Sequence, residues 1–262
     1  VPTPEIDAIV DRLDALVSDA RARRHRRGFF AAMYRQVTDT VRRDVAAGAF
    51  DDDARMGRFV ALFAGRYLDA VGTWDAGGRT SRSWRATFVA GERKDRVILQ
   101  HLLLGMNAHI NLDLAVVAAT IAPGVTIFEL KDDFGRINDI LGRLMEPLQD
   151  CIGRFSPLLH VLWAVGGGAD DEVLNFSLRV ARADAWHQAV TLAHLDPGRR
   201  AGAIDALDRK AAVLARLVAQ PGGILERAVD VVAFAESDDL VAVIDALGQV
   251  RPKPLPAKTA PS

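Results

Sequence analysis

The sequence predicts an all-α protein, a compact multi-helix bundle with a buried central helix around residues 92–122. Apolar residues recur at three- and four-residue intervals through nearly every segment. Strand-like alternation is scarce, and the breaks between periodic stretches are short and carry Gly, Pro or capping residues.

Ile9, Leu13, Leu16 and Val17 give Asp7 to Ala20 an apolar stripe and define a first helix. The cationic run Arg21, Arg23, Arg24, His25, Arg26, Arg27 follows, and helical spacing resumes from Phe29 to Ala46. Asp51, Asp52 and Asp53 suit a helix start, where carboxylates meet free amides and the positive end of the dipole. That helix is expected to reach about Ala70, with Gly72 to Gly78 as a break and Thr80 to Ser83 capping the segment that carries Trp84 and Phe88. Glu92 to Ala122 is the central helix, closed by Pro123 and Gly124. The next runs from near Glu129 through Leu144, with Pro147 bending or interrupting it before Cys151. Ser156-Pro157 opens a short apolar helix to Val165, and Gly166 to Gly168 separates it from Asp170 to Leu195. Further helices are expected over Arg200 to Ala219, Gly223 to Phe234 and Asp238 to Leu247. We expect one domain over residues 1–250 and a proline-rich flexible tail over 251–262.

The chain has 262 residues, of which 50% are hydrophobic, and a formal net charge of -1, so it offers no global attraction to nucleic acid or an anionic membrane. The Arg21 to Arg27 run lacks an accompanying nucleic-acid motif or stacking platform and reads as a solvated helix end, and neither glycine cluster matches a phosphate loop. No nucleotide-binding residues are assigned. The single cysteine, Cys151, excludes an intrachain disulfide and a thiolate zinc cluster, and reads as a small buried hydrophobe. Val97 to Ala122 is long enough to span a bilayer, yet His101, Asn107, His109, Asn111 and Asp113 near its centre argue against a transmembrane anchor. The expected compartment is the cytoplasm, with secretion after removal of a leader left open.

Those polar residues are the chemical signal of the chain. A helix this apolar should be buried, and a buried carboxylate or imidazole must be paired, neutralised or metal-bound. His109 and Asp113 are four residues apart and share a face; Asn107 and Asn111 form a second pair on roughly the opposite face. Asp184 and His187, three apart, form an analogous pair. Two helices that each offer an imidazole and a carboxylate can converge on a divalent metal, with zinc the first expectation and iron or manganese the second. This reading takes His109, Asp113, Asp133 and His187 as ligands, Asp133 and Asp184 as catalytic proton acceptors, and Asn107, Asn111, Asn138 and Arg182 as the supporting polar shell. Asp132 is an alternative to Asp133, because adjacent helical residues point about 100 degrees apart. A zinc-bound water would then be activated for hydrolysis of a small-molecule ester or phosphoester. Two rivals accompany this hydrolase: a non-enzymatic binding or scaffold protein whose buried polar network fixes its packing, and a metal-free small-molecule site using His109 or His187. His101 is read as a core histidine satisfied by a carbonyl, His160 and His194 as packing or surface groups, and Arg136, Arg179 and Arg182 as ion-pair or anion-clamp residues.

The string L104-G105-M106-N107-A108-H109-I110-N111-L112-D113-L114 resembles a bacterial family of unknown function, DUF5995, as do D133-F134-x-x-I137-N138 and R182-A183-D184-A185-W186. The resemblance is expected to span most of Asp7 through Leu247 and implies a helical protein, with no reaction or cofactor to carry across. His109 and Asp113 are also similar to the His-x-x-x-Asp ligand pair of the helical zinc phospholipase C and single-strand nuclease group. His187 would take the place of another histidine there, but the amino-terminal tryptophan and the fuller histidine set of that group are missing.

Overall fold

The longest apolar segment of the chain runs through the middle of the bundle, and five of the other helices pack directly against it. In the computed structural model, which describes residues 4–165 and 171–252, with the backbone alone for Trp163 and 171–177, the described residues form helices and no strand. The order is α1 (Pro4–Ala22), α2 (Arg27–Ala46), α3 (Asp53–Asp75), α4 (Arg82–Gly91), α5 (Ile98–Ala108), a π-helical segment (His109–Leu114), α6 (Ala115–Ile121), a 3-10 segment (Gly124–Leu130), α7 (Lys131–Phe155), α8 (Leu159–Val165), α9 (Asp171–His194), α10 (Pro197–Ala219), α11 (Gly223–Ala235) and α12 (Leu240–Leu247). The α5, π and α6 segments make one continuous rod. Packed against the rod are α2, α3, α4, α9 and α10; α1 lies on α2 and α3, α7 on α2 and α9, α11 on α8, and α12 on α2.

By length and composition Ile98–Ile121 is apolar enough to cross a membrane, and 83% of that window is buried inside the protein. Its close approach to α2 is permitted by Gly105, where a Cβ would collide with the Phe30 ring. Helix starts follow the capping chemistry of the sequence: Asp52, Ser81, Asp196 and Asp239 each accept a backbone amide of the following turn.

The structure corrects several expected boundaries. The central helix begins at Ile98, not Glu92, because Val97 is its N-cap and Gln100 Oε1 accepts the Val97 amide at 3.1 Å. Gly72 lies inside α3, and the break comes after Asp75. Pro147 does not interrupt α7: Leu144, Met145, Leu148 and Cys151 on either side of it are buried, and that packing outweighs the roughly 3 kcal/mol that an interior proline costs. Cys151 is a buried free thiol, as expected. The cationic run does not form an open basic patch, since Arg21, Arg23, Arg24 and Arg27 face Asp245, Asp19, Asp239 and Asp75 respectively. The expected Gly166–Gly168 loop and most of the proline-rich tail lie outside the described residues.

Candidate functional site

The rod changes from α to π winding at His109–Leu114, where the most polar part of the sequence string sits. Single π turns inside α-helices are rare and recur at functional sites. Asp113 is 1% exposed. Its Oδ1 accepts from Arg66 Nε on α3 at 2.6 Å, and its Oδ2 from the Trp84 indole N–H on α4 at 2.8 Å and from His109 Nδ1 at 3.1 Å. Three donors from three elements therefore occupy three of the roughly four lone-pair sites of a carboxylate that can only accept.

This arrangement decides the tautomer of His109. Because Asp113 accepts, Nδ1 carries the hydrogen, and in the neutral ring Nε2 holds a lone pair. Burial holds the imidazole below its ordinary range; the Asp113 hydrogen bond and charge oppose that shift, while Arg66 and Arg182 reinforce it. Phe63 stacks on the ring at a centroid distance of 3.6 Å, and Tyr34 meets it edge-on at 4.6 Å. Nε2 is buried and has no hydrogen-bond partner among the described residues. An orphaned acceptor in a low-dielectric setting costs about 1–3 kcal/mol, a cost that a ligand donor would remove.

His109 lines a cavity of about 50 Å³ together with Phe30, Tyr34 and Phe63 on one side, α7 residues such as Ile137 and Leu144 on another, and Arg182 from α9. Such a space holds a few waters or one small polar group. Next to it lies an outer cleft of about 660 Å³, lined by Leu103, Leu214 and Val218 among others. Met106, Ile110, Met145 and Leu178 line both, so the two spaces share a wall of flexible apolar side chains. Asn107 and Asn111 line the outer cleft: Asn111 Nδ2 donates to Asn107 Oδ1 at 2.9 Å, and Asn107 Nδ2 to the Ala211 carbonyl at 2.8 Å.

The family model described as a family of unknown function, DUF5995, matches residues 6–221. The chain belongs to this family. No curated protein and no solved structure matches it. The match runs from the first turn of α1 through α10 and includes every residue lining the His109 cavity and the outer cleft of this DUF5995 chain, and it stops before α11 and α12, short of the expected limit near Leu247.

Of the residues singled out in the sequence, the structure brings together His109 and Asp113, places Arg182 in the same cavity, and puts Asn138 against Arg182. Asp133 and His187 do not join them. Asp133 is fully buried elsewhere, accepting the amides of Asp51 at 2.7 Å and Asp52 at 3.2 Å and pairing with Arg55 at 3.3 Å, so it closes the start of α3 onto α7. His187 is exposed, and Asp184 pairs with Lys210 at 2.7 Å at the rim of the outer cleft. Asp132, the alternative, is exposed. Among the described residues of this DUF5995 protein no group of three or more His, Cys, Asp or Glu side chains is placed to hold a metal ion. His101 is a core histidine bonded to the Arg96 backbone, driven down to about 3 by burial. Sequence reasoning missed Arg66, Trp84 and the aromatic walls. The walls had a signal: Phe30 with Tyr34 and Phe63 with Tyr67 are aromatic pairs four residues apart, each pair on one helical face.

Proposed function

We propose that this protein binds an apolar small molecule between the central rod and helices α7, α9 and α10, with His109 receiving a hydrogen bond or a proton from it or from a water held beside it. The observation that carries this reading is the free Nε2 of a buried, Asp113-oriented imidazole on the wall of a cavity beside an apolar cleft. An outer volume of about 660 Å³ falls within the roughly 300–1,000 Å³ range of ligand sites. A neutral imidazole held in one tautomer is suited to general-base chemistry on a ligand hydroxyl or a trapped water.

The metal-dependent hydrolase has less support from this geometry. Asp113 already accepts three hydrogen bonds, Asp133 caps a helix junction, and His187 faces solvent, so His109 Nε2 is left as one ligand. A closed packing network explains Asp113 but leaves the orphaned nitrogen and the cavity beside it unexplained.

Titration with the neutral apolar dye Nile red tests the proposal. We expect saturable one-to-one binding that is lost in Leu214→Trp, which fills the partly exposed cleft. Binding that is absent, or that is unchanged by this substitution, would reject the cleft as the site. Elemental analysis of protein purified without added metal or chelator separates the metal reading: stoichiometric zinc, iron or manganese that disappears in His109→Asn would restore it.

A further inference from the structure

Arg182 is 2% exposed, yet among the described residues it has no carboxylate partner. Its Nε donates to Asn138 Oδ1, its Nη2 to the Phe134 carbonyl at 3.2 Å, and its guanidinium lies 4.7 Å from the Phe134 ring centroid. These neutral contacts orient the planar fork and leave Nη1 without a hydrogen bond among the described residues. The other buried arginine among the described residues differs, since Arg96 pairs with Asp95 and Glu226, and so does the partly buried Arg55, which pairs with Asp133. A guanidinium buried without a counter-charge is costly, and burial pushes it down to about 9.

The cost falls where a ligand can offset it, because Arg182 and His109 line the same small cavity. We propose that the ligand is a monocarboxylate with an apolar body, its carboxylate held by Arg182 in the inner cavity, where a water donates to both the carboxylate and His109 Nε2, and its body lying in the outer cleft. This rests on the reading of the cleft as a ligand site. The guanidinium fork matches a carboxylate, and the rest of the lining, apolar apart from Tyr34 and the neutral His109, offers no second cation for a doubly charged phosphate. In the outer cleft the charged pair Lys210 and Asp184 is already matched at 2.7 Å, so the body of the ligand meets chiefly Leu, Met, Ile and Val side chains and no free charge.

Isothermal titration of the full chain with dodecanoate, dodecanol and methyl dodecanoate, all below their aggregation limits, tests this. Wild type should bind dodecanoate one-to-one and about tenfold or more tighter than the alcohol or ester, the scale of a charge-assisted contact. Arg182→Met should lose that preference while keeping the affinity for dodecanol, and should resist urea at least as well as wild type, since a buried uncompensated charge is gone. If Arg182→Met does not fold, Arg182→Gln, which keeps a donor for Asn138, serves in its place and should lose the same preference; Leu214→Trp should weaken dodecanoate binding by about tenfold or more in a folded protein. Equal binding of acid and alcohol, or an acid preference that survives Arg182→Met, would overturn the carboxylate assignment alone; dodecanoate binding unaffected by Leu214→Trp would overturn the cleft reading and this inference with it. If dodecanol binds and dodecanoate does not, the cleft reading stands and this inference alone fails. If none of the three ligands binds, both fail.

Discussion

Asp113 and Asp133 are equally buried, and each pairs with an arginine from α3, but their surroundings lead to different outcomes. The partners of Asp133 are two backbone amides and Arg55, all committed to joining α3 to α7. One of the partners of Asp113 is an imidazole whose second nitrogen remains free beside a cavity. Burial of a carboxylate, or its pairing with an arginine, therefore says little about chemistry; what matters is whether its partners have any capacity left over.

The largest expected effect is shared by both carboxylates. Asp113→Ala and Asp133→Ala should each lower unfolding free energy by roughly 3–5 kcal/mol in urea titrations, because each leaves several donors, a partly buried arginine among them, without their acceptor. They should differ in the imidazole signals: Asp113→Ala releases His109 from the Nδ1–H tautomer, and Asp133→Ala leaves it unchanged. A common response would erase the distinction drawn here.

A third carboxylate sharpens the comparison from the other side. Glu236 accepts from Ser156 Oγ and the Ile98 amide without an arginine salt bridge among the described residues, and burial raises it to about 7 from an ordinary 4.5. The neutral form is favoured on folding, so its contribution is fully present below pH 4.5 and is lost as pH rises towards 7. Stability measured across that window should decline by ~2–3 kcal/mol from this group, and Glu236→Gln should remove the decline. His101 acts in the opposite direction: its value is depressed to about 3 from 6.5, so its contribution is intact above pH 6.5 and is lost as pH falls towards 3.

Gly105→Ala should cost about 1–3 kcal/mol by forcing Phe30 out of place. It should also weaken Nile red binding, since Phe30 walls the cavity beside His109; Gly142→Ala on α7, where an added Cβ meets nothing within 4 Å, is the neutral control. The smallest effect on folding is expected for His109→Asn. Its amide can still donate to Asp113 from near the Nδ1 position, so the loss should be ~1–2 kcal/mol, mostly from the Phe63 stack. An urea midpoint as low as that of Asp113→Ala would show that His109 is chiefly a packing residue.

The sequence revealed whichever parts of the site lie within one helix. The pairs His109 with Asp113 and Asn107 with Asn111 follow from a four-residue spacing, and both form. Arg182 and Asn138 were legible as a polar shell because each interrupts an apolar face, and they meet across α7 and α9. Partners from other helices were not legible: Arg66 and Trp84 are 47 and 29 residues from Asp113 along the chain. Asp133 misled for a related reason, since its main partners are backbone amides of residues 51 and 52, which leave no side-chain signature. His187 shares a helical face with Asp184, but α9 is rotated so that this face reaches the rim and solvent while Arg182 points inward. The fold was more legible than the site, because the apolar period is written along each helix. Its boundary errors fell where local capping at Val97 and core packing around Pro147 decided the outcome.

The central claim, that Asp113 fixes His109 as a neutral Nδ1–H imidazole with a free Nε2, is tested most directly by nitrogen-15 NMR of the histidine side chains, with His109→Asn assigning the resonance. The account predicts the Nδ1–H tautomer at pH 8, still neutral at a pH where an exposed histidine of the same chain has begun to protonate, with an Nε2 signal characteristic of an unprotonated nitrogen that moves when a ligand binds. An Nε2–H tautomer, or an imidazolium at pH 7, would contradict it.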